Sequence, residues 1–206
     1  MKVLIACEFS GIVREAFRKK GHDAWSCDLL PTEIPGQHIQ YDAGAVIWED
    51  WDLIIAHPPC TYLANSGVRW LFDAKGYKIL DRWDKLAYAI SFFNTIKDMA
   101  DYDKTRVCIE NPIPHKYARD GFIHPTNAEI LDGIGDYTQI IHPWQFGHGE
   151  TKSTCLWLQR LPKLQPTNIV DGRVPRVHHE SPGPDRWKNR SRTFHGIANA
   201  MAEQWG

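Results

Sequence analysis

An α/β fold with a mostly parallel sheet and an antiparallel edge is predicted by three features of this sequence. Short aliphatic runs alternate with amphipathic stretches of helical length, the order that builds parallel strands joined by crossover helices. The first such run, "KVLIAC", has no charged residue after its lysine, as a strand covered on both faces requires. Two late segments, "DYTQIIHP" and "STCLWL", lie close enough in sequence to pair as an edge hairpin. The 206 residues, 43% of them hydrophobic, suffice for one sizeable core, so a single domain over residues 1–206 is expected.

The elements follow in order. "KVLIAC" (2–7) gives the first strand, "EFSG" a turn, and "IVREAFRKK" (12–20) an amphipathic helix stopped by Gly21. "DAWSCD" (23–28) and "HIQYD" (38–42) are the second and third strands, ending in the carboxylates of Asp28 and Asp42. "WDLIIA" (51–56) is the fourth, and Pro58 and Pro59 must end it because neither can donate to a ladder. Cys60 is thereby displayed at a strand's carboxyl end, the edge where open α/β sheets bind ligands. "DRWDKLAYAISFFNTIKDM" places Leu86, Ala89, Ile90, Phe93, Ile96 and Met99 on one helical stripe, and "TRVCIE" is a strand ending at Glu110. "FHGIANAMAEQW" is a closing helix, and Pro162 to Arg192, rich in Pro, Gly and charge, is expected to form a long loop.

A formal charge of −1 excludes a generally basic coat, so any nucleic-acid contact must come from local clustering of Lys and Arg. Five cysteines, odd in number, without CxxC pairs or a leader ahead of them, point to reduced thiols and a cytoplasmic protein. No apolar run approaches the roughly 20 residues that span a bilayer.

A first βα turn bearing Phe9, Ser10 and Gly11, with acids after the next two strands, is the arrangement a nucleoside cofactor needs. Turn amides meet its polar end, one carboxylate accepts the ribose hydroxyls, and a second acid reads the adenine amine. The turn has a single glycine, so an ordinary tight turn stays open as a reading. Glu-Asn-Pro at 110–112 can equally just end a strand. For Cys7, Cys27, Cys108 and Cys155 the expectation is a small buried hydrophobe. Flanking prolines and a downstream acid set Cys60 apart.

The order of motifs resembles the DNA cytosine carbon-5 methyltransferases. The matching pieces are "FSG" at Phe9 to Gly11, Asp28, Asp42, "PPC" at Pro58 to Cys60, "ENP" at Glu110 to Pro112 and "GIANAM" at Gly196 to Met201. The resemblance implies a Rossmann-like S-adenosylmethionine-dependent methyltransferase fold. It implies that Cys60 attacks carbon 6 of a flipped cytosine and that Glu110 holds and protonates ring nitrogen 3. Asn111 would orient Glu110 or the cysteine loop, and Phe9, Ser10, Gly11, Asp28, Asp42, Pro58 and Asn199 would bind S-adenosylmethionine. The residue types suit the chemistry. Carbon 5 is a poor nucleophile until a thiolate adds beside it, and the resulting ring charge calls for an acid at the pyrimidine edge.

Three departures are visible. The family's Gln-x-Arg-x-Arg segment is matched loosely by "GETKSTCLWL", where Lys152 takes the first arginine's place and Thr154 the second's. A lysine is a point charge without the bidentate fork. The target recognition domain is missing, and the loop from Pro162 to Arg192 stands in its place with Lys163, Arg173, Arg176, Arg186, Trp187, Lys188, Arg190 and Arg192. That composition suits phosphate gripping and base stacking. The cofactor turn has also lost glycines. The expectation is a carbon-5 methyltransferase of low sequence specificity, compact like phage proteins that mask DNA from restriction. Its partners would be DNA and S-adenosylmethionine, or a modified sulfonium relative, with no membrane and no metal. Two other readings remain at this stage, an exocyclic-amine methyltransferase and a catalytically inactive nucleic-acid-binding module.

Overall fold

The computed structural model describes residues 1–206, the side chain of residue 103 excepted. Strand β1 (Lys2–Ala6) opens the chain and helix α1 (Ile12–Lys19) returns across it. Then come β2 (Asp23–Asp28), β3 (His38–Gln40), the short α2 (Ala43–Val46) and β4 (Leu53–Ala56). After the cysteine loop and a 3-10 segment (Asn65–Leu71), the long α3 (Leu80–Asp103) leads into β5 (Arg106–Asn111). A short α4 (Lys116–Asp120) and the two-residue strands β6 (Phe122–Ile123) and β7 (Ile130–Leu131) precede β8 (Gln139–Ile141) and β9 (Thr154–Gln159). Helices α5 (Arg186–Ser191) and α6 (His195–Trp205) close the chain.

One sheet holds seven strands in the order β3-β2-β1-β4-β5-β9-β8. β1 to β5 pair in parallel, and β9 runs antiparallel to both its neighbours, which makes the edge hairpin with β8. Both faces are covered. Alternate residues of the central strands enter separate apolar layers. Leu4, Ala6, Ile54, Ala56, Val107 and Ile109 pack under α3, and Val3, Ile5, Leu53, Ile55 and Cys108 pack under α1 and α6. The fully buried Val3 to Ala6 explain why that run reads as continuously apolar.

The expected stripe of α3 is buried at Leu86, Ile90, Phe93, Ile96 and Met99, with Ala89 half-buried beside it. The third strand is shorter than expected. It stops at Gln40 because Asp42 leaves the ladder to cap α2, accepting from the Gly44 amide at 2.8 Å. The segment from Pro162 to Arg192 is not wholly loop. Isolated bridges tie Asn168 to Phe146 and Val174 to Glu150, and residues 186–191 form α5. That helix is held down from outside itself. Arg192 grips the Glu33 carboxylate with two bonds of 2.8 and 2.6 Å, and Trp187 packs against Phe9 at 5.8 Å between ring centroids. Among the described residues no helix is long and apolar enough to cross a membrane.

Candidate active site

The strand order reverses between β1 and β4, since the chain runs outward to β3 and then returns to the other side of β1. A crevice at the strands' carboxyl ends is expected at such a switch point. The register fixes what stands there. Cys27, Ala6, Ala56 and Ile109 are neighbours across four strands. The next residues along are Asp28, Cys7, His57 and Glu110, one row of the sheet. Because β9 is antiparallel, its beginning faces the same edge, with Leu156 opposite Glu110 and Cys155 opposite Asn111. Lys152 and Thr154 are therefore delivered beside Glu110 by strand direction alone.

Asn111 is almost fully buried and donates its side-chain amide to the Pro58 carbonyl at 2.9 Å. Of the two roles expected for it, this contact gives the second, fixing the Pro-Pro-Cys loop to β5. The loop then turns sharply, with Leu63 and Ala64 amides bonded to the Cys60 carbonyl, and Cys60 is left exposed. Although the residue as a whole is exposed, desolvation of its thiol and the nearby Glu110 charge push that thiol above the ordinary cysteine value, while Lys152 and Arg190 pull it down. A standing thiolate is thus disfavoured while Glu110 is ionised.

Glu110 was expected either to stay protonated or to become protonated as the thiolate adds, in an apolar or ring-contacting setting that raises its proton affinity. Burial does work to raise it, yet the His57 hydrogen bond, the Lys152 charge and the Thr154 hydroxyl outweigh burial and hold it below the usual glutamate value. His57 Nδ1 lies 2.9 Å from Glu110 Oε2, and both side chains are nearly buried, at 9% and 12% exposure. Lys152 reaches the site electrostatically while its ammonium donates to the Arg190 carbonyl at 3.0 Å. The basic segment is thereby tied to the candidate catalytic edge.

The cofactor turn is built around a buried acid. Glu8, 4% exposed, accepts from the Val13 amide at 2.7 Å, the Arg14 amide at 3.3 Å and the Ser10 hydroxyl at 3.1 Å, while the amides of Phe9, Ser10 and Gly11, those expected to meet a ligand, are not the ones it takes. The helix N-terminus, where partial positive charge collects, already holds a carboxyl group. Gly11 is required here, with φ +74°, and an added Cβ would lie 2.8 Å from the Arg14 guanidinium. Arg14 is itself fully buried. It bonds to the Ser26 hydroxyl at 2.9 Å and the Ile34 carbonyl at 2.6 Å, which pins the loop after β2.

Asp28 stands at the end of β2, partly buried, with one oxygen on the Leu30 amide at 3.0 Å. Burial raises its pKa against the pull of that bond and of His38. Asp42 is exposed and one of its oxygens serves α2. Phe9 is 7% exposed under Trp187, Pro58 is buried, and Asn199 is exposed on α6 with no hydrogen-bond partner among the described residues.

The basic residues divide. Arg173 stacks on Trp144 at 3.8 Å, and Arg176 donates to the Gly149 carbonyl at 3.1 Å, so both brace the chain around residue 149. Arg186 donates to the Glu180 carbonyl at 2.8 Å, and Lys188 lies 3.9 Å from Asp185 on α5. Trp187, expected to be a free stacking platform, is half-exposed with one face on Phe9.

Sequence reading missed Glu8 and gave His57 no part in the carbon-5 chemistry, placing it only where an exocyclic-amine methyltransferase has its acid. Glu8 had a usable signal, an acid just ahead of a helix start with reach to its first amides. His57 had none, since its contact with Glu110 depends on a register between strands far apart in sequence. The chain matches no known family model and no curated protein.

Proposed function

We propose that this protein transfers a methyl group from S-adenosylmethionine to carbon 5 of cytosine in DNA. The observation that carries the reading is the assembly of Cys60, Glu110 and Lys152 at one sheet edge, with Asn111 locking the cysteine loop to the strand that bears Glu110. The acids near the crevice suit the cofactor. With Glu8 filling the α1 terminus and Asp28 close by, a diphosphate would meet like charge, whereas a sulfonium with an α-ammonium brings positive charge to carboxylates. The half-buried Asp28 carboxylate at the end of β2, with one oxygen on the Leu30 amide, matches a ribose diol. When bound, S-adenosylmethionine supplies an electrophilic methyl.

The protein's own residues do the rest. Cys60 gives its thiol proton to solvent and adds as the thiolate to carbon 6, the 5,6 pair becomes the 4,5 double bond, the 3,4 pair moves to nitrogen 3, and Glu110 delivers a proton there. The enamine carbon 5 would then attack the methyl of bound S-adenosylmethionine, with the methyl–sulfonium bond breaking to leave a neutral thioether. Loss of the carbon-5 proton to solvent, cleavage of the carbon 6–sulfur bond and return of the nitrogen-3 proton regenerate the site. Protonating Glu110 has a second effect, because it removes an anion that raises the Cys60 thiol. Acid catalysis at the ring and activation of the nucleophile are thus coupled through one carboxyl group. The Arg186, Lys188 and Arg190 segment, joined to the site through Lys152, would hold the DNA backbone.

The test is covalent trapping. DNA containing 5-fluorocytosine, incubated with S-adenosylmethionine, should form a denaturation-resistant adduct with the protein and none with Cys60→Ser, because fluorine blocks the final elimination. Wild-type protein that methylates DNA without forming the adduct would point to the exocyclic amine. Absence of both methylation and adduct would favour a binding module.

A further inference from the structure

We propose, building on the carbon-5 reading, that His57 is a positioning residue that holds the working proton of the site and passes it through Glu110 to ring nitrogen 3. Three observations carry this. His57 follows β4 in the row that also contains Cys7 and Glu110, so its place beside the carboxylate is built into the sheet register. Its Nδ1 is 2.9 Å from Glu110 Oε2, within range for direct proton transfer. Its Nε2 is buried without any hydrogen-bond partner, so the ring's only bond in the folded protein is the one to Glu110.

Three carboxyl groups lie close to the ring. The groups facing His57 are Glu8 from the turn after β1, Asp28 from β2 and Glu110 from β5, and the ring's positive form favours ionisation of all three. The cations on the far side are Lys152 before β9 and Arg190 from the basic segment, and these act on Glu110 and Cys60. A carboxylate held ionised cannot by itself give nitrogen 3 a proton. The hydrogen-bonded partner supplies it.

The step balances. Cys60, which is exposed, first releases its thiol proton to solvent, and as the thiolate adds to carbon 6 and charge develops on nitrogen 3, the Nδ1 proton of the imidazolium moves to Glu110 Oε2. The carboxyl group protonates nitrogen 3, and His57 is left neutral with its remaining proton on Nε2. When the adduct collapses the proton returns by the same route. No further reactant is needed.

The experiment measures the single-turnover rate of adduct formation on 5-fluorocytosine DNA against pH, for wild type and His57→Asn. Asparagine keeps a donor near the Nδ1 position but cannot release a proton. The wild-type rate should fall on the alkaline side as the pair loses its proton. In His57→Asn that fall should move acidward by at least about one pH unit, with a loss of about tenfold or more at neutral pH and recovery toward wild type in acid. A second readout needs no histidine variant. Infrared difference spectra with isotope-labelled histidine should show one ring changing from imidazolium to imidazole as the wild-type adduct forms, a change missing in Glu110→Gln. If wild type forms the adduct but His57→Asn keeps its rate and pH profile, or the labelled ring does not change, the proton role of His57 is wrong and the carbon-5 reading stands. If wild type forms no adduct at any pH, both fall together.

Discussion

Removing the Glu8 carboxylate should loosen the first βα turn by an amount that can be worked out from its contacts. In Glu8→Ala the Val13 and Arg14 amides and the Ser10 hydroxyl lose their buried acceptor. A buried donor left unpaired costs about 1 to 3 kcal/mol, and loss of a helix N-cap about 1 kcal/mol. The Arg14 bond is long at 3.3 Å, and burying a carboxylate is itself unfavourable, so a net loss of about 2 to 4 kcal/mol is expected. At this chain length each kcal/mol lowers Tm by roughly 2 to 4 °C, so a fall of about 5 to 15 °C should be seen by calorimetry. Glu8→Gln keeps one acceptor oxygen and should lose less than half as much.

The pH dependence has a definite sign. Burial raises the Glu8 pKa above 4.5 in spite of His57, the two amides and Ser10, so its contribution to stability is complete below the unfolded value. That contribution declines as pH rises through the higher folded value. Glu8→Gln should flatten that decline. Glu8→Ala with an unchanged Tm, or Glu8→Gln with the wild-type pH profile, would refute the assignment of Glu8 as the buried anchor of α1.

The other predictions concern binding and turnover. Asp28→Ala should weaken S-adenosylmethionine binding by about 1 to 3 kcal/mol in calorimetry, and Asp42→Ala by less, because one Asp42 oxygen already serves Gly44. Glu110→Gln should lose at least about 10²-fold in single-turnover methyl transfer while retaining cofactor binding, since the amide keeps the shape but cannot deliver a proton. Neutralising Arg186, Lys188 and Arg190 together should weaken DNA binding about equally across sequences and lower the slope of log affinity against log salt by about one per lost phosphate contact. An unchanged slope would remove this segment from the DNA interface.

Much of this architecture was legible because short-range pattern carries it. The buried faces of β1, β4 and β5 oblige their residues to be apolar, and Pro58 and Pro59 oblige β4 to end, so Cys60 had to stand at a strand's carboxyl end. The α3 stripe is legible for the same reason, since helical period and burial are both local. Segments stabilised by distant partners were not. Residues 186–191 carry no apolar face, and their helix is held by Glu33 and Phe9, more than 150 positions away in sequence. The direction of β9, which brings Lys152 and Thr154 to Glu110, likewise depends on pairing with β5 rather than on its own residues.

The charge state of the site divides along the same line. From the sequence came the residue types, a cysteine after two prolines, a glutamate and asparagine at a later strand end, and a lysine near the start of the last strand. Whether the glutamate holds its own proton was decided only by folding. A carboxyl group's proton affinity follows from what lies within a few ångströms, and here that is a histidine 53 positions away and a lysine from an antiparallel strand. Composition at a strand end is set by local sterics and burial, whereas the electrostatics of the crevice are set by sheet register, which belongs to the tertiary structure alone.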